Sequence, residues 1–354
     1  MNSWRSAEER FSALRRVFRF CYMLPMRLLV TGGCGFIGSN FVRFVLDHYQ
    51  PEFVTNIDAL TYAGNPGNLA GVAERFGDRY EFFQCDIGDR DAMETIFAGH
   101  KFYAVVNFAA ESHVDRSISE PGNFIHTNVI GTEVLLEAAR KHGVKRFLQV
   151  STDEVYGSLG RDGRFTEKTP LDPSSPYSAS KASADLLALA AYKTFGQEVV
   201  ITRCSNNYGP YQFPEKLIPL MITNALADKK LPVYGDGLNV RDWIHVEDHC
   251  RGVMAVLLEG RAGEIYNIGA GGEMENIAVV ELILETLGKP RELISYVTDR
   301  LGHDRRYAID STKIQTELGW KPLHMPRDSI RETVKWYLEN RQWWEPLRPK
   351  HAGV

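Results

Sequence analysis

The feature of this sequence that most constrains its fold is an apolar run, Arg27–Thr31, that leads directly into closely spaced glycines. Gly32, Gly35 and Gly38 recur at every third position, and a helical pattern begins near Phe36. Glycines at this spacing let the backbone approach a pyrophosphate, and the amide dipoles at the start of a helix favour that anion. A strand, a glycine turn and a helix in this order predict a dinucleotide-binding unit.

The sequence continues as an alternation of short apolar runs and segments with helical periodicity. The strand-like runs are Arg27–Thr31, Phe53–Ile57, Tyr80–Gln84, Tyr103–Phe108, Arg146–Ser151 and Val199–Arg203. The helical segments between them are Ser39–His48, Asp89–Ala98, Thr127–His142 and Tyr177–Phe195. Because the apolar runs lack a clean polar alternation, we expect a sheet that is buried on both faces. The pattern predicts an α/β fold with a doubly wound parallel sheet of the Rossmann type.

After Arg203 the pattern loosens and prolines become frequent. Helical periodicity returns at Val246–Leu258, Asn276–Leu287 and Arg327–Asn340. This indicates a smaller, mixed α/β substrate domain over the carboxyl edge of the sheet. We expect a cofactor-binding domain at 26–203 and a mainly substrate-binding domain at 204–345, with segments interleaved with the first. Residues 346–354 would form a tail.

Residues 1–25 differ from the rest, because several arginines alternate with apolar residues and could form a basic amphipathic helix. The arginines are Arg5, Arg10, Arg15, Arg16 and Arg19. An organellar targeting peptide is one interpretation, but Glu8 and Glu9 count against it. We expect a dispensable extension instead, with Met26 as an alternative start just before the first strand.

The composition excludes several classes of function. Lysine and arginine number 41 and aspartate and glutamate 45, so the formal net charge is −4 and no nucleic-acid surface is expected. The longest apolar stretches, such as Phe102–Ala110, are far shorter than the ~18 residues that span a bilayer, so no membrane is expected. An odd number of widely spaced cysteines favours a reducing compartment, the cytoplasm. The cysteines are Cys21, Cys34, Cys85, Cys204 and Cys250.

Two further features predict redox chemistry with NAD. Tyr177 and Lys181 are four residues apart in a helical segment, so they share a helix face where the lysine cation would lower the pKa of the phenol. Such a phenol can take a proton from a substrate hydroxyl while a hydride leaves the same carbon. Asp58 ends the second strand, where a carboxylate accepts hydrogen bonds from ribose hydroxyls and repels a 2′-phosphate. NAD is therefore favoured over NADP.

The segment Ser151–Gly157 follows the strand that ends at Val150, so it places Thr152, Asp153 and Glu154 at the carboxyl edge of the sheet. The threonine could hold a substrate hydroxyl for the tyrosine. Adjacent carboxylates on a continuing strand would point to opposite faces, so they can serve one substrate only if the backbone turns there. The pair suits one proton abstraction and one proton donation, which indicates dehydration besides hydride transfer.

A family resemblance rests on a series of runs between Met26 and about Asn340. They are TGGCGFIGSN, NIDALTYAGN, CDIGD, FAAESHVDRS, TNVIGT, STDEVYG, SPYSASKAS, CSNNYGPYQFPEKLIPL, YGDGLNVRDWIHVEDH and DRLGHDRRYAID. Through them the chain resembles the extended short-chain dehydrogenase/reductase family, and within it the members that dehydrate nucleotide sugars. The resemblance implies NAD as cofactor and dTDP-glucose as substrate. The implied product is dTDP-4-keto-6-deoxyglucose, which feeds deoxysugar biosynthesis such as that of rhamnose.

The resemblance also implies roles for individual residues. Tyr177, supported by Lys181, deprotonates the C4 hydroxyl as NAD takes the C4 hydride. Glu154 removes the C5 proton, Asp153 protonates the C6 hydroxyl as water leaves, and the hydride returns to C6. The matched cofactor contacts are Gly32, Gly35, Phe36, Ile37, Gly38, Asp58, Ala59, Leu60, Thr61, Asp86, Ile87, Ala109, Ala110, Ser112, Thr127, Tyr177, Lys181 and Asn207. The matched nucleotide-sugar contacts are Ser112, Thr152, Asn206, Lys216, Leu217, Pro232, Val233, Tyr234, Arg241, Asn276, Asp299, Arg300 and His303.

Arg241 and Arg300 make physical sense in that set, because guanidinium groups suit a diphosphate. Leu301 stands where the family usually has proline, which affects the loop that carries Arg300. The family usually forms homodimers through a helix bundle, for which Thr127–His142 and Tyr177–Phe195 would supply the helices.

Several alternatives stay open. Related NAD-dependent enzymes such as a UDP-glucose 4,6-dehydratase, an epimerase or a decarboxylase share most of these residues, although the Asp153–Glu154 pair argues against an epimerase. A sensor that binds NAD and a nucleotide sugar without catalysis belongs to a different class, and the complete catalytic set argues against it. His245 and His249 have the spacing of metal ligands, but no third ligand is evident, so no metal is expected.

Overall fold

The computed structural model describes residues 26–348. The predictions for residues 1–25 and for the end of the tail, from residue 349 onward, lie outside the described residues. In chain order the strands are β1 (Arg27–Thr31), β2 (Phe53–Asp58), β3 (Tyr80–Gln84), β4 (Ala104–Asn107), β5 (Arg146–Thr152), β6 (Val199–Cys204), β7 (Asn206–Tyr208), β8 (Leu231–Tyr234), β9 (Val240–His245), β10 (Ile265–Ile268), β11 (Glu273–Glu275) and β12 (Ile294–Val297).

The helices are α1 (Phe36–His48), α2 (Val72–Phe76), α3 (Arg90–Gly99), α4 (Val114–Ser119), α5 (Pro121–Phe124), α6 (Thr132–Lys141), α7 (Pro176–Phe195), α8 (Leu217–Leu226), α9 (Val246–Glu259), α10 (Asn276–Leu287), α11 (Thr312–Leu318), α12 (Pro326–Glu339) and α13 (Arg341–Trp344). Across the part of the chain that the structure describes, no helix is both long and apolar enough to cross a membrane.

A parallel sheet of seven strands in the order β10-β6-β5-β4-β1-β2-β3 forms the centre of the fold. One face packs against α1, α9 and α11, and the other packs against α3, α6 and α7. This is the doubly wound α/β fold that the strand and helix alternation predicts. The seventh strand, β10, comes from well beyond Arg203, so the central sheet includes a segment from the second half of the chain.

Parallel register aligns three polar residues across the middle of the sheet. Thr31 is opposite Asn107, and Asn107 is opposite Gln149. The hydroxyl of Thr31 donates to Oδ1 of Asn107 at 2.6 Å, and Nδ2 of Asn107 donates to Oε1 of Gln149 at 2.8 Å. All three side chains are buried, so these bonds satisfy groups that would otherwise be costly in the core. They fix the relative positions of β1, β4 and β5 near their carboxyl ends.

The second region is built from short strands and helices. A three-stranded sheet has the order β11-β9-β7, and β12 pairs with β8. Helices α8, α10, α12 and α13 surround a separate apolar core that includes Ile222, Val280 and Tyr337. The sequence pattern predicts α10 and α12 here but misses the strands. Four of them have only three or four residues, which leave no readable periodicity, and the six-residue β9 was also missed.

The predicted helix Thr127–His142 differs from what the structure shows. A π-helical segment, Ile125–Gly131, precedes α6. Within it the buried Asn128 accepts a hydrogen bond from the backbone N–H of Glu111 at 2.9 Å and donates to the hydroxyl of Ser180 at 2.8 Å. These polar contacts join the segment to α7, and π-helical turns of this kind are frequent at functional sites.

A buried ion pair links β6 to α7. Nε of Arg203 lies 2.8 Å from Oδ2 of Asp185, and both side chains are almost completely enclosed. The guanidinium also lies over the ring of Tyr156, 4.7 Å from its centroid. The pair therefore fixes α7 both to the sheet and to the segment that follows β5.

We expect Asp185→Ala to lower the free energy of unfolding by about 3–5 kcal/mol, because it leaves the Arg203 guanidinium buried without its counter-charge. The double variant Asp185→Leu/Arg203→Met should lose less, because neither charge then remains. Urea unfolding at pH 7 measures both. A double variant that is less stable than Asp185→Ala would contradict this account.

Candidate active site

A cleft of about 310 Å³ opens at the carboxyl ends of the central strands, above the glycine turn. Gly32 has a φ of +70°, and a Cβ on it would lie 2.7 Å from backbone atoms of Ala109. A Cβ on Gly38 would lie 2.2 Å from the carbonyl oxygen of Gly32. Gly35 precedes α1 and offers no side chain to cap it, so the first N–H groups of the helix stay available to an anion.

Asp58 ends β2 beside this turn, and the backbone fixes its carboxylate. The N–H of Cys34 donates to Oδ2 at 2.9 Å, and the N–H of Leu60 donates to Oδ1 at 2.8 Å. Burial raises the pKa of Asp58, and these backbone hydrogen bonds oppose the rise. The remaining lone pairs of the carboxylate can accept from ribose hydroxyls. The glycine cradle, the uncapped helix start and this carboxylate together fit NAD.

Most residues predicted to contact the cofactor line this one cleft. They are Gly32, Gly35, Phe36, Ile37, Gly38, Asp58, Ala59, Thr61, Asp86, Ile87, Ala109, Ala110, Ser112, Thr127, Tyr177, Lys181 and Asn207. Leu60 is the exception: it has a φ of +53°, and its contribution is the backbone N–H that binds Asp58.

The backbone turns directly after β5, at the point where adjacent carboxylates require a turn to serve one substrate. Residues Asp153–Tyr156 form a 3₁₀ turn, and the N–H of Glu154 donates to the hydroxyl of Thr152 at 3.2 Å. Gly157 ends the turn with a φ of +84°, and a Cβ there would lie 2.5 Å from the carbonyl oxygen of Asp172. Thr152, Asp153 and Glu154 all line the cleft.

Tyr177 enters the same cleft from the first turn of α7. Ser175 and Ser178 form a capping box, and Pro176 occupies the first helical position, which together fix where the helix begins. Lys181 follows one turn later, and its ammonium donates to the carbonyl oxygen of Val150 at 2.7 Å. Tyr177 and Lys181 are both buried, so their charges depend strongly on their neighbours.

The expectation that Lys181 lowers the pKa of the Tyr177 phenol is wrong for the protein without cofactor, because burial outweighs the lysine cation. Burial raises the pKa of Tyr177 well above its ordinary value, the charge of Glu154 adds to the rise, and a hydrogen bond with Thr152 opposes it. Burial lowers the pKa of Lys181, and Asp185 acts in the opposite direction. A second positive charge near the phenol, such as a nicotinamide, would favour the tyrosinate form.

The two carboxyl groups of the turn differ in their surroundings. Burial raises the pKa of Asp153 well above its ordinary value, and the charge of Glu154 raises it further. Oδ2 of Asp153 is buried without a hydrogen-bond partner among the described residues. Burial also raises the pKa of Glu154, but Arg300, Arg241 and Lys216, in that order, oppose the rise. Asp153 is thus suited to stay protonated, and Glu154 ionises more readily than Asp153.

The predicted substrate residues occupy two zones. Ser112, Thr152, Asn206 and Lys216 line the cleft itself. The others, Leu217, Pro232, Val233, Tyr234, Arg241, Asn276, Asp299, Arg300 and His303, lie outside its lining in the second region. Leu217 and Val233 pack in the apolar core of that region, so only their backbone groups are available to a ligand.

We call the residues outside the cleft lining the outer zone. Several of its polar groups lie close together. Nδ1 of His303 lies 2.5 Å from Oδ1 of Asp299, and the ring of His303 meets that of Tyr234 edge-on. A guanidinium nitrogen of Arg300 lies 3.9 Å from Asp115. Arg241 is buried over the ring of Tyr307, and its charge interacts with that of Glu154. This zone offers cationic and aromatic groups that interact with the carboxyl group of Glu154.

The cleft also contains residues that the sequence analysis does not select. They are Ile57, Tyr62, Ala63, Gly64, Cys85, Phe108, Val150, Ser151, Cys204, Ser205, Gln212, Phe213 and Glu215. Many stand inside or next to the runs that carry the family resemblance, so their position in the sequence could have indicated that they lie near the site. The missing information was which side chains turn toward the cleft, and that depends on loop geometry.

The two histidines with metal-ligand spacing do not act together. His249 is buried, and its Nδ1 lies 2.9 Å from Oδ1 of Asn207, which orients that amide at the cleft. His245 instead approaches Glu247 and His324, and the ligand atoms of these three residues lie within 4.8 Å of one another. The rings of His245 and His324 are only 30° from parallel, with centroids 4.2 Å apart. The expectation that no third ligand is evident is therefore wrong for His245, although the grouping is formed with Glu247 and His324 and not with His249.

The fold and the site together define an NAD-dependent enzyme of the extended short-chain dehydrogenase/reductase class. A family model described as GDP-mannose 4,6 dehydratase matches residues 29–333. The chain is 56% identical to a dTDP-glucose 4,6-dehydratase of Streptomyces griseus over 328 residues, 92% of this chain and 98% of that relative. The corresponding enzyme of Streptomyces niveus is 53% identical over 327 residues, 91% of this chain and 96% of the relative. The chain belongs to the dTDP-glucose 4,6-dehydratase family.

Solved structures agree with this assignment. A dTDP-glucose 4,6-dehydratase from Streptomyces venezuelae with NAD bound has a TM-score of 0.88 and 52% identity, covering 91% of this chain and 100% of that one. A UDP-glucose 4-epimerase from Thermotoga maritima has a TM-score of 0.83 but only 31% identity, covering 89% of this chain and 100% of that one. The epimerase shares the fold, whereas the higher identity lies with the dehydratases.

Gly38→Ala should lower the NAD content of the purified protein several-fold, because the added methyl group must displace the backbone of the glycine turn. Gly99→Ala is the matched control, because a Cβ at Gly99 has no neighbour within 4 Å. NAD released on denaturation is measured per chain for both variants. An NAD content in Gly38→Ala equal to that of the control would show that the turn does not hold the cofactor as described.

Proposed function

We propose that this chain converts dTDP-glucose to dTDP-4-keto-6-deoxyglucose through an internal hydride cycle. The observation that carries the proposal is the meeting of the Tyr177–Lys181 pair with Thr152, Asp153 and Glu154 at one cleft. A dehydrogenase or epimerase needs the tyrosine, the lysine and the threonine. The two carboxyl groups add what a dehydration requires, an acid and a base beside the same sugar.

The residues divide the chemistry between them. When bound, NAD supplies the hydride acceptor for C4 and, later, the hydride donor for C6. Thr152 holds the C4 hydroxyl, and Tyr177 takes its proton. The resulting ketone acidifies C5, so Glu154 removes the C5 proton while Asp153 protonates the C6 hydroxyl, which leaves as water. Glu154 then returns its proton to C5. The proton gained by Tyr177 balances the one lost by Asp153.

The cations around Glu154 support a diphosphate-bearing substrate. Arg300, Arg241 and Lys216 all lower the pKa of Glu154 against the effect of burial. Both arginines present planar donor groups that match phosphate oxygens. Lys216 is partly buried, and burial lowers the pKa of its ammonium, whereas the charges of Glu215 and Glu154 raise it. A nucleoside diphosphate sugar would supply negative charge where these side chains supply positive charge.

In D₂O and without added NAD, the wild-type protein should convert dTDP-glucose to a 4-keto-6-deoxy product that carries deuterium at C5, because the base exchanges its proton with solvent before returning it. Mass spectrometry and NMR detect the product and the label. No product, even with NAD added and with UDP-glucose tested in parallel, would overturn the proposed reaction.

Glu154→Gln should lower kcat by about 10²–10⁴-fold, the usual contribution of a general base. C4 oxidation does not need this residue, so the variant should accumulate reduced nicotinamide after dTDP-glucose is added. Stopped-flow absorbance follows this signal. Glu120→Gln, at an exposed residue outside the cleft, is the matched control and should behave like the wild type. An unchanged kcat in Glu154→Gln would rule out its role as the base.

A sensor without catalysis is the competing class, and Tyr177→Phe separates the two. The variant should still bind NAD and dTDP-glucose while losing turnover, because only the phenolic oxygen is removed. The complete set of catalytic side chains at the cleft favours the enzyme, because a binding module has no use for two carboxyl groups placed beside a tyrosine and a lysine.

The chain also carries an exposed apolar surface that supports a homodimer. Leu186 and Phe195 on α7 are 57% and 61% exposed, and Ile125 and Ile130 lie exposed on the neighbouring π-helical segment. Large apolar side chains grouped on adjacent helices are typical of a protein interface. We propose that two copies pack through these helices, and that the enzyme works in the cytoplasm, where its four described cysteines remain free thiols.

Leu186→Glu should shift the protein from dimer to monomer, because it introduces a charge at the proposed interface. Leu323→Glu is the matched control, because Leu323 is 63% exposed but lies in the loop between α11 and α12. Light scattering after size-exclusion chromatography gives the mass of each. Equal masses for Leu186→Glu and the wild type would place any interface elsewhere.

A further inference from the structure

A cluster outside the catalytic set bridges the cofactor cleft. Tyr62 lies on the loop after Asp58, and the guanidinium of Arg116 from α4 lies over its ring, 3.8 Å from the centroid. The ring of Phe213, from the segment before α8, meets Tyr62 edge-on with centroids 6.1 Å apart. Three segments that are distant in the sequence therefore meet on one tyrosine.

Charged groups extend this contact. Oε2 of Glu215 lies 3.5 Å from a guanidinium nitrogen of Arg116 and 3.7 Å from Nε2 of His113. Burial lowers the pKa of His113 to about 4, so its ring is neutral and Arg116 is the cationic partner of Glu215. The Glu215 side chain is only 12% exposed, whereas Arg116 is 47% exposed. The arginine covers the carboxylate from the solvent side.

The cluster lies where it can control access to the cleft. Tyr62, Phe213 and Glu215 all line the cleft, as do Asp58 and Thr61 just before the tyrosine. The loop that carries Tyr62 is attached to the glycine turn, since the N–H of Asn65 donates to the carbonyl oxygen of Cys34 at 3.0 Å.

A neighbouring contact strengthens the bridge. Nζ of Lys216 donates to the carbonyl oxygen of Ser112 at 2.9 Å, which joins the segment before α8 to the residues leading into α4. To open the cleft, the 213–216 segment must separate from both Arg116 and Tyr62. The ring contact between Tyr62 and Phe213 and the ion pair between Arg116 and Glu215 would be lost together.

We propose that Tyr62, Arg116 and Glu215 form a latch that retains NAD in the cleft between turnovers. A cofactor that is oxidised again within each cycle need not leave, so contacts that slow its release do not slow the reaction. The inference rests on the cofactor part of the proposed function and is independent of the sugar chemistry.

The test measures NAD release directly, without a nucleotide sugar. Holoenzyme is loaded with radiolabelled NAD and diluted into excess unlabelled NAD, and the label that remains bound is counted over time after filtration. Arg116→Met should release NAD about tenfold faster, because the methionine retains side-chain length but loses both the cation–π contact and the ion pair. Tyr62→Leu should have a similar effect, and the two changes combined should add little, because they remove one shared contact.

A control variant makes the test specific. Arg75→Met is the matched control, because Arg75 also stacks on an aromatic ring, that of Phe76, and pairs with a carboxylate, that of Asp47, but lies outside the lining of the cleft. Thermal unfolding with saturating NAD reports whether each variant is folded.

Wild-type release rates in both Arg116→Met and Tyr62→Leu would overturn the latch. Release that is equally fast in Arg75→Met would also overturn it, because the effect would then reflect general loosening. Arg116 is half exposed, so its substitution should leave the fold intact and can decide the question if Tyr62→Leu fails to fold. If the wild-type protein has no dehydratase activity, the rate of NAD release can still be measured, so the latch and the proposed reaction fail independently.

Discussion

The structure depends first on parallel register across the central sheet. The carboxyl ends of parallel strands meet at one edge, and the buried bonds between Thr31, Asn107 and Gln149 fix three of those strands relative to one another. The glycine turn follows the first of these strands, and the turn that carries Asp153 and Glu154 follows the third. A shift of one residue between strands would move these groups apart and turn side chains to the opposite face.

The second constraint on the site is the burial of its two adjacent carboxyl groups. Burial alone would raise the pKa values of both Asp153 and Glu154, and two buried carboxyl groups side by side cannot both ionise easily. Cations from the second region face Glu154, whereas Asp153 is raised further by the charge of Glu154. Under the proposed function, the cations of the second region therefore favour Glu154 as the base and Asp153 as the acid, although the two residues are neighbours in the sequence.

Much of the central sheet could be predicted from the sequence, because buried parallel strands and amphipathic helices leave clear periodic patterns. β1 and β3 have the predicted bounds, and α10 matches Asn276–Leu287 at both ends. The proposed catalytic residues could be selected from their spacing and from their position after a strand, and their roles stay predictions. The short strands β7, β8 and β11 were not readable, and neither was the π-helical segment, because polar contacts between distant residues, such as Asn128 with Ser180, determine it. The same limit applies to Tyr62. It stands in the run NIDALTYAGN, but its contacts with Arg116 and Phe213 arise from the fold and cannot be read from the sequence.

The segment before α8 joins the two halves of the site. Glu215 pairs with Arg116 at the cofactor cleft, while its neighbour Lys216 is partly buried and interacts with the charges of both Glu215 and Glu154. A single short segment thus contacts the cofactor side through one residue and the substrate side through the next. An internal hydride cycle requires the two sides to behave differently, because the sugar must exchange at every turnover and the cofactor need not. Under the proposed function and the proposed latch, a tyrosine and an arginine of the sheet domain retain the cofactor, whereas the substrate cations Arg241 and Arg300 belong to other segments, so the sugar can exchange without breaking the contacts that retain NAD.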